Sequence, residues 1–216
     1  MDKSPDKIQK MFNQIANDYD KNNNLISFGL HKFVKKLAVK SFKFSGKCLD
    51  LCTGTGDIAK ILSKDCDVTG LDFSTNMLDI ARKKYPNIKF IEGDCTNLPF
   101  ENNSFDVITI SFGLRNIENY NKALDEIYRV LKPNGLFFHL DFSKKNFIAN
   151  FLYDFIIPKL VKIFYGNDLP YKYLVQSKKE FLNTDNLIKL FNQHNFEFVN
   201  KKNFLLNTIE CQLFKK

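Results

Sequence analysis

Four polar side chains stand where short apolar runs of this chain end: Asp50, Asp72, Asp94 and Ser111. The first belongs to Cys48-Leu49-Asp50-Leu51-Cys52-Thr53-Gly54-Thr55-Gly56-Asp57, an apolar run with an acid, a glycine turn and the start of a helical pattern. Gly54 and Gly56 allow positive φ and let a ligand lie against bare main chain. A helix beginning near Asp57 adds unpaired N–H groups and the positive end of its dipole. Asp72 ends Val68-Thr69-Gly70-Leu71-Asp72, where a carboxylate can accept both hydroxyls of a ribose. In Gly93-Asp94-Cys95 the Asp94 carboxylate can meet an adenine amino group, and Ser111 precedes Phe112-Gly113-Leu114-Arg115-Asn116. Together these residues suit an adenosine ligand. Gly54-x-Gly56-x-x-Ala59 also fits a relaxed dinucleotide fingerprint, so an NAD(P)-linked oxidoreductase and a non-catalytic adenosine-binding scaffold stay open. Asp50, ahead of the glycine turn, can hold the amino group of an amino-acid moiety. With Asp94 and an apparent terminal hairpin it favours S-adenosylmethionine over NAD.

The elements that must position these residues follow from periodicity. From Cys48 to about Asp141 apolar strands alternate with helical patterns, the mark of a parallel sheet with crossovers. The strands are expected at 47–51, 67–71, 88–92, 105–111 and 135–141, with helices near 57–64, 75–84 and 120–131. Lys132-Pro133-Asn134-Gly135 reads as the turn before the fifth strand. Ahead of this core, Ile8, Met11, Phe12 and Ile15 predict a helix over 6–17, and Asn22-Asn23-Asn24 reads as loop. A second helix from about 27–31 carries Phe33, Val34, Leu37 and Ala38. Residues 147–157 form an almost wholly apolar helical pattern, continued to 165 beyond Pro158. A helix at 184–194 and strands at 196–201 and 208–214 complete the chain. In the last strand Ile209, Cys211 and Leu213 alternate with polar neighbours, as on a sheet with one wetter face. One domain results, with a helical cap (1–45), a donor-binding core (46–141), an apolar acceptor-side insertion (142–182) and a C-terminal helix and hairpin (183–216).

Composition removes several classes. The formal charge of +8 invites a nucleic-acid reading, but of 32 basic residues only Arg82, Arg115 and Arg129 are arginine. Bidentate recognition of bases and phosphates leans on arginine, and an AT-rich genome produces such a lysine and asparagine excess regardless of function. No nucleic-acid partner is expected. The five cysteines are odd in number and form no C-x-x-C, which argues against a disulfide framework or a metal site and for a reducing compartment. The first residues lack a signal-peptide pattern, and no apolar run reaches the ~18 residues of a membrane span. A cytoplasmic enzyme is expected.

The chain resembles the ubiquinone/menaquinone biosynthesis C-methyltransferases over nearly its whole length. The resemblance is carried by Tyr19-Asp20, Ser27-Phe28-Gly29-Leu30-His31, Thr53-Gly54-Thr55-Gly56-Asp57, Asn97-Leu98-Pro99-Phe100, Ser111-Phe112-Gly113-Leu114-Arg115-Asn116 and Leu131-Lys132-Pro133. It implies a class I S-adenosylmethionine-dependent methyltransferase, α/β and Rossmann-like, with a seven-stranded, mostly parallel sheet whose last strand is antiparallel. It places donor contacts on Thr55, Asp72, Asp94, Cys95 and Ser111. The implied reaction moves a methyl group to a ring carbon of a prenylated quinol, and another phenolic acceptor is the alternative. Arg115 stays protonated and so is no base, but it can stabilise a forming phenolate or hold a water with Asn116. Tyr19 is a further catalytic candidate. A membrane-resident tail implies peripheral contact with the inner membrane face through 147–165 and its lysines Lys144, Lys145, Lys159 and Lys162, and a homodimer is compatible. The chain departs from the family at Cys52 (usually Gly), at Asp141 of Asp141-Phe142-Ser143 (usually Glu) and at Asn195 (usually Gly).

Overall fold

The computed structural model describes residues 3–27, 29–146, 151, 155, 159 and 169–216. Its centre is a seven-stranded sheet of β1 (Gly46–Leu51), β2 (Cys66–Asp72), β3 (Lys89–Glu92), β4 (Phe105–Ser111), β5 (Leu131–Phe142), β6 (Glu197–Phe204) and β7 (Ile209–Lys215). The strand order is β3-β2-β1-β4-β5-β7-β6, and β7 alone runs against the others. The chain leaves β1 toward β2 and β3 and returns on the other side of β1 as β4. That reversal opens a crevice outside the carboxyl ends of β1 and β4, the general binding position of open α/β sheets. Leu51 pairs with both Leu71 and Ile110, Asp72 with Glu92, and Ser111 with Leu140, so the strands end on one edge.

Helices cover both faces. One face of the sheet, with Leu49, Phe137 and Phe214, packs against α5 (Tyr120–Val130) and α7 (Thr184–Gln193). The other, with Cys48, Phe138 and Leu213, packs against α2 (Leu30–Lys40), α3 (Asp57–Leu62) and α4 (Thr75–Lys84). Side-chain caps start three of these helices: Ser74 accepts from the Met77 N–H, Asn119 from Lys122 and Asn183 from Asn186. α6 (Leu169–Glu180) leads into α7.

Several boundaries differ from the expectation. α1 spans Pro5–Ser27, straight through the asparagine cluster read as loop. Asn22 is buried, and the Ser27 hydroxyl donates to the Asn23 carbonyl at 2.6 Å, so tertiary packing outweighs asparagine's weak helix propensity. Gly29, at φ 75°, ends the helix by donating its N–H to the Asn24 carbonyl. β5 begins at Leu131, before the expected turn, because a shift in register between Phe105 and Val107 absorbs residues 132–135 beside β4. In β7 the expected wetter face is dry: Glu210 is 4% exposed and Gln212 2%. The 147–165 helix lies outside the described residues except for 151, 155 and 159.

A partly buried charge network ties α1 and α2 to α3, α4 and the turn after β1. Lys84 donates to Asp20 at 2.8 Å and to Asp57 at 3.3 Å, Lys35 donates to Asp57 at 3.0 Å, and the Thr55 hydroxyl donates to Asp20 at 2.7 Å. Burial pushes the Asp57 carboxyl up, but Lys35 and Lys84 outweigh it and hold the carboxyl at about 2, against 3.8 for a free carboxyl. The folded value lies below the unfolded one, so the stabilisation is full above pH ~4 and is lost as pH falls toward ~2. Its size is about 2 kcal/mol. Acid titration of unfolding free energy should show wild type losing roughly that much more than Asp57→Asn across this window, and parallel curves would remove the network from the account.

Candidate active site

The strand edge opens into a cavity of about 340 Å³. Its floor is polar and made of the strand ends: Gly54, Asp72, Gly93, Asp94, Cys95 and Ser111 all line it. Gly54, at φ 55°, has no atom within 4 Å of where a Cβ would stand, so its main chain faces open space. Asp72 orders that turn, accepting the Gly54 N–H at 2.8 Å on one oxygen and the Ser74 N–H at 2.9 Å on the other. Burial pushes its carboxyl up against these bonds. Asp94 is oriented by the N–H and hydroxyl of Thr96, both at 2.8 Å. The buried Ser111 hydroxyl has no hydrogen-bond partner among the described residues.

Three expected donor residues stand elsewhere. Asp50 is 1% exposed and does not line the cavity. Its oxygens accept the hydroxyls of Thr53 and Thr109, each at 2.6 Å. Burial pushes its carboxyl up to about 6 against the pull of those hydroxyls. Thr55 spends its hydroxyl on Asp20 and lies outside the cavity lining. Gly56, at φ 85°, starts α3, and a Cβ there would come within 3.0 Å of Phe90 and Tyr85. These three support the turn rather than line the cavity. Cys52, where a glycine is usual, holds φ 52°, which explains the usual residue. Its side chain fills the space of a Cβ at Gly113, 2.5 Å away.

The acceptor-side candidates share the same cavity. Arg115, Asn116 and Tyr19 all line the cavity. Arg115 sits in a short 3-10 turn (Leu114–Asn116), is 3% exposed, and donates to Asp141 at 2.5 Å. Its guanidinium lies 5.3 Å from the Phe142 ring centre and 5.9 Å from that of Phe112. The Asn116 carbonyl accepts from the Tyr173 hydroxyl at 3.2 Å. Burial pushes Tyr173 up to about 12, with Arg115 opposing, so its hydroxyl stays protonated at neutral pH.

Sequence reasoning missed the cavity's apolar wall. Ile8, Met11, Phe12 and Ile15 of α1 line it, with Leu174 of α6. Their spacing was visible, but a period of 3.6 marks a buried face without saying whether protein or ligand covers it.

Comparison with known proteins follows this geometry. The fold is shared with a SAM-dependent methyltransferase of Thermotoga maritima (TM-score 0.71, 21% identity, 96% of this chain and 99% of that one). It is shared too with one of Aquifex aeolicus (TM-score 0.68, 16% identity, 94% and 97%). The architecture is that of the S-adenosylmethionine-dependent methyltransferases. The model of the ubiE/COQ5 methyltransferase family matches residues 1–212, and the chain belongs to that family. The demethylmenaquinone methyltransferase of Staphylococcus haemolyticus is 39% identical over 213 residues, 92% of this chain and 89% of that protein. That of Staphylococcus aureus (strain MRSA252) is 37% identical over 214 residues, with 92% and 88% covered. The cavity fits the donor: bare main chain at Gly54, an unpartnered Ser111 hydroxyl and two oriented carboxylates face one space.

Loss of the Asp72 carboxylate removes a charged acceptor and releases two backbone donors. Asp72→Ala should weaken S-adenosylmethionine binding by ~1.5–3 kcal/mol in calorimetry, the range for hydrogen bonds to a charged group. Melting temperature should fall as well. Unchanged donor affinity would remove Asp72 from the site.

Proposed function

We propose that this chain methylates a ring carbon of a prenylated quinol, with demethylmenaquinol as the acceptor. The observation that carries the reading is the cavity itself, polar at the strand ends and apolar along α1, with Arg115 in the same lining. The names of the relatives favour a naphthoquinol. Asp72, Asp94, Ser111 and the Gly54 main chain would hold S-adenosylmethionine, and Cys95 lies in the same wall. When bound, this donor supplies an electrophilic sulfonium methyl group.

The protein's own part is alignment, exclusion of water and stabilisation of charge. Ile8, Met11, Phe12 and Ile15 give the acceptor ring and first tail units an apolar wall, which fixes the ring and dries the space around it. The ring carbon becomes more nucleophilic as a quinol hydroxyl loses its proton. Arg115 offers a fixed positive charge to the resulting oxygen, in surroundings where electrostatics are weakly screened. Tyr173, held by Asn116, adds a neutral donor at the same end, and Tyr19 closes the cavity from α1. Donor affinity rests on the strand ends and turnover on Arg115. Arg115→Lys keeps the charge but loses the planar fork that reaches Asp141. It should cut turnover with chemically reduced demethylmenaquinol by roughly 10²-fold while the donor dissociation constant stays near wild type. Normal turnover in that variant, or a wild type inert toward the quinol, would overturn the reading.

The acceptor's tail brings the protein to a bilayer surface. Among the described residues no helix is long and apolar enough to cross a membrane. Of the lysines expected to flank that contact, Lys144 donates to the carbonyls of Lys179 and Phe181, and Lys145 pairs with Glu210, so both ammonium groups are engaged within the chain although both residues are exposed. The described surface offers a different contact on α2, where exposed Leu30, Phe33 and Leu37 share one side beside exposed Lys32, Lys36 and Lys40. Each lysine contributes about 1 kcal/mol near an anionic surface. Changing the three to Gln should lower flotation with anionic liposomes by ~100-fold in partition coefficient. Flotation unaffected by the change would clear α2 of that role.

A further inference from the structure

The dry polar face of β7 belongs to a buried square of side chains. On one face of the sheet β5 carries Phe137, His139 and Asp141, paired in antiparallel register with Phe214, Gln212 and Glu210 of β7. The aromatic pair continues into the core with Phe191 and Phe196. The next two pairs are polar yet equally buried, with Asp141 and His139 each 2% exposed. Residues directly opposite in such a ladder stand ~4.5–5.5 Å apart at Cβ, so the four side chains surround one space. The hydrogen bonding around it is incomplete. Among the described residues Asp141 Oδ2, Gln212 Oε1 and the neighbouring Arg115 Nε have no partner, and His139 faces Gln212 without a well-formed bond from either ring nitrogen. Buried polar atoms left in this way mark a place where water is held.

The square meets the cavity at one corner and solvent at another. Arg115, which lines the cavity, donates to Asp141 Oδ1 at 2.5 Å. Across the ladder, Gln212 donates to Glu210 Oε1 at 2.9 Å, and Lys145 donates to Glu210 Oε2 at 2.5 Å with 37% of its own side chain exposed. Phe181 and Phe191 pack on the His139 ring and cover the space. The other charged or titratable groups around it are Lys178, Glu180 and Tyr173 from α6, and Lys3. Each methyl transferred to an aromatic carbon replaces one ring hydrogen, which leaves as a proton as the donor's positive charge is discharged. Arg115 cannot take a proton and Tyr173 keeps its own, so neither accepts one from the acceptor.

We propose that the His139–Gln212 and Asp141–Glu210 square is the proton exit of the reaction, leading from the acceptor past Arg115 to the surface at Lys145. The inference rests on the quinol reading above. The acceptor's O–H bond breaks and its electron pair stays on the oxygen facing Arg115. The proton crosses ordered water to the open oxygen of Asp141, and Glu210 passes it outward. The ring carbon's electron pair then forms the new C–C bond as the methyl–sulfur bond breaks and leaves its pair on sulfur. The ring hydrogen departs as a proton that returns to the oxygen facing Arg115, restoring aromaticity and the hydroxyl, so one proton in all leaves through the square. Asp141 and Glu210 are positioning and proton-carrying residues, and His139 holds the water between them.

The test compares Asp141→Asn, Asp141→Glu, Glu210→Gln and His139→Leu with wild type, using reduced demethylmenaquinol. Glu210→Gln and Asp141→Asn should lower kcat by roughly 10–100-fold, reshape its pH profile and enlarge the solvent deuterium isotope effect. Donor affinity and the KM for the quinol should stay within about twofold of wild type, since neither side chain lines the cavity. Asp141→Glu should recover most of the turnover lost in Asp141→Asn. His139→Leu should raise the melting temperature, because an imidazole without partners leaves the core, and should still lower kcat. Without turnover, infrared difference spectra on quinol binding should show a protonated carboxyl band that Asp141→Asn removes. Glu210→Gln with wild-type kcat, pH profile and isotope effect would overturn the proposal. So would variants whose only change is a lower melting temperature with a raised KM. A wild type that binds the donor yet leaves the quinol unmethylated would instead strike the quinol reading.

Discussion

The site depends on the register in which β1 pairs with β2 on one side and β4 on the other. Leu51 is the shared partner of Leu71 and Ile110, so the residues just beyond these strands emerge side by side. A slip of one residue would turn Asp72 and Ser111 away from the crevice, because side chains alternate faces with a period of two. The Asp72 carboxylate then fixes the turn that lines the cavity. By accepting the N–H of Gly54 it clasps the glycine turn after β1 to the end of β2. Asp50, one strand position inside the turn, braces the same loop through Thr53 and Thr109.

The acceptor side obeys a different constraint. Burying an Arg–Asp pair costs desolvation that only good geometry offsets, and breaking such a pair by removing one partner costs about 3–5 kcal/mol. Such pairs are therefore poor devices for stability alone. Here Arg115 and Asp141 adjoin His139, Gln212 and Glu210 on the face that elsewhere holds Phe137 and Phe214. A sheet serving only as scaffold would have filled those positions with apolar side chains. Polar atoms without partners, gathered next to the cavity, point to a functional demand on that face.

Much of this was legible in the sequence, for physical reasons. Fully buried parallel strands write themselves as apolar runs, and the positions of Asp72, Asp94 and Ser111 follow from where those runs stop. Arg115 and Asn116 were legible as residues, through the stretch that follows β4. What they touch was not, since Asp141 lies 26 positions away and is brought near by strand pairing. Asp50 meets a related limit. An acid before a glycine turn looks the same in one dimension whether its carboxylate faces a ligand or two threonine hydroxyls. The alternation along Ile209-Glu210-Cys211-Gln212-Leu213 was read correctly as a strand and wrongly as half solvated, because period alone does not reveal that Phe181 and Phe191 cover the polar side. α1 outran its predicted end because Asn22 is held by packing that no local rule encodes.

The reading of this cavity as the site of carbon methylation on a quinol ring can be tested by the fate of a labelled methyl group. Wild-type protein would be incubated with trideuteromethyl S-adenosylmethionine and chemically reduced demethylmenaquinol, and the product examined by mass spectrometry and proton NMR. The account predicts the trideuteromethyl group on a ring carbon, with one aromatic hydrogen lost and both hydroxyls unmethylated. Label found on oxygen, or no labelled quinone from protein shown to bind the donor, would contradict it.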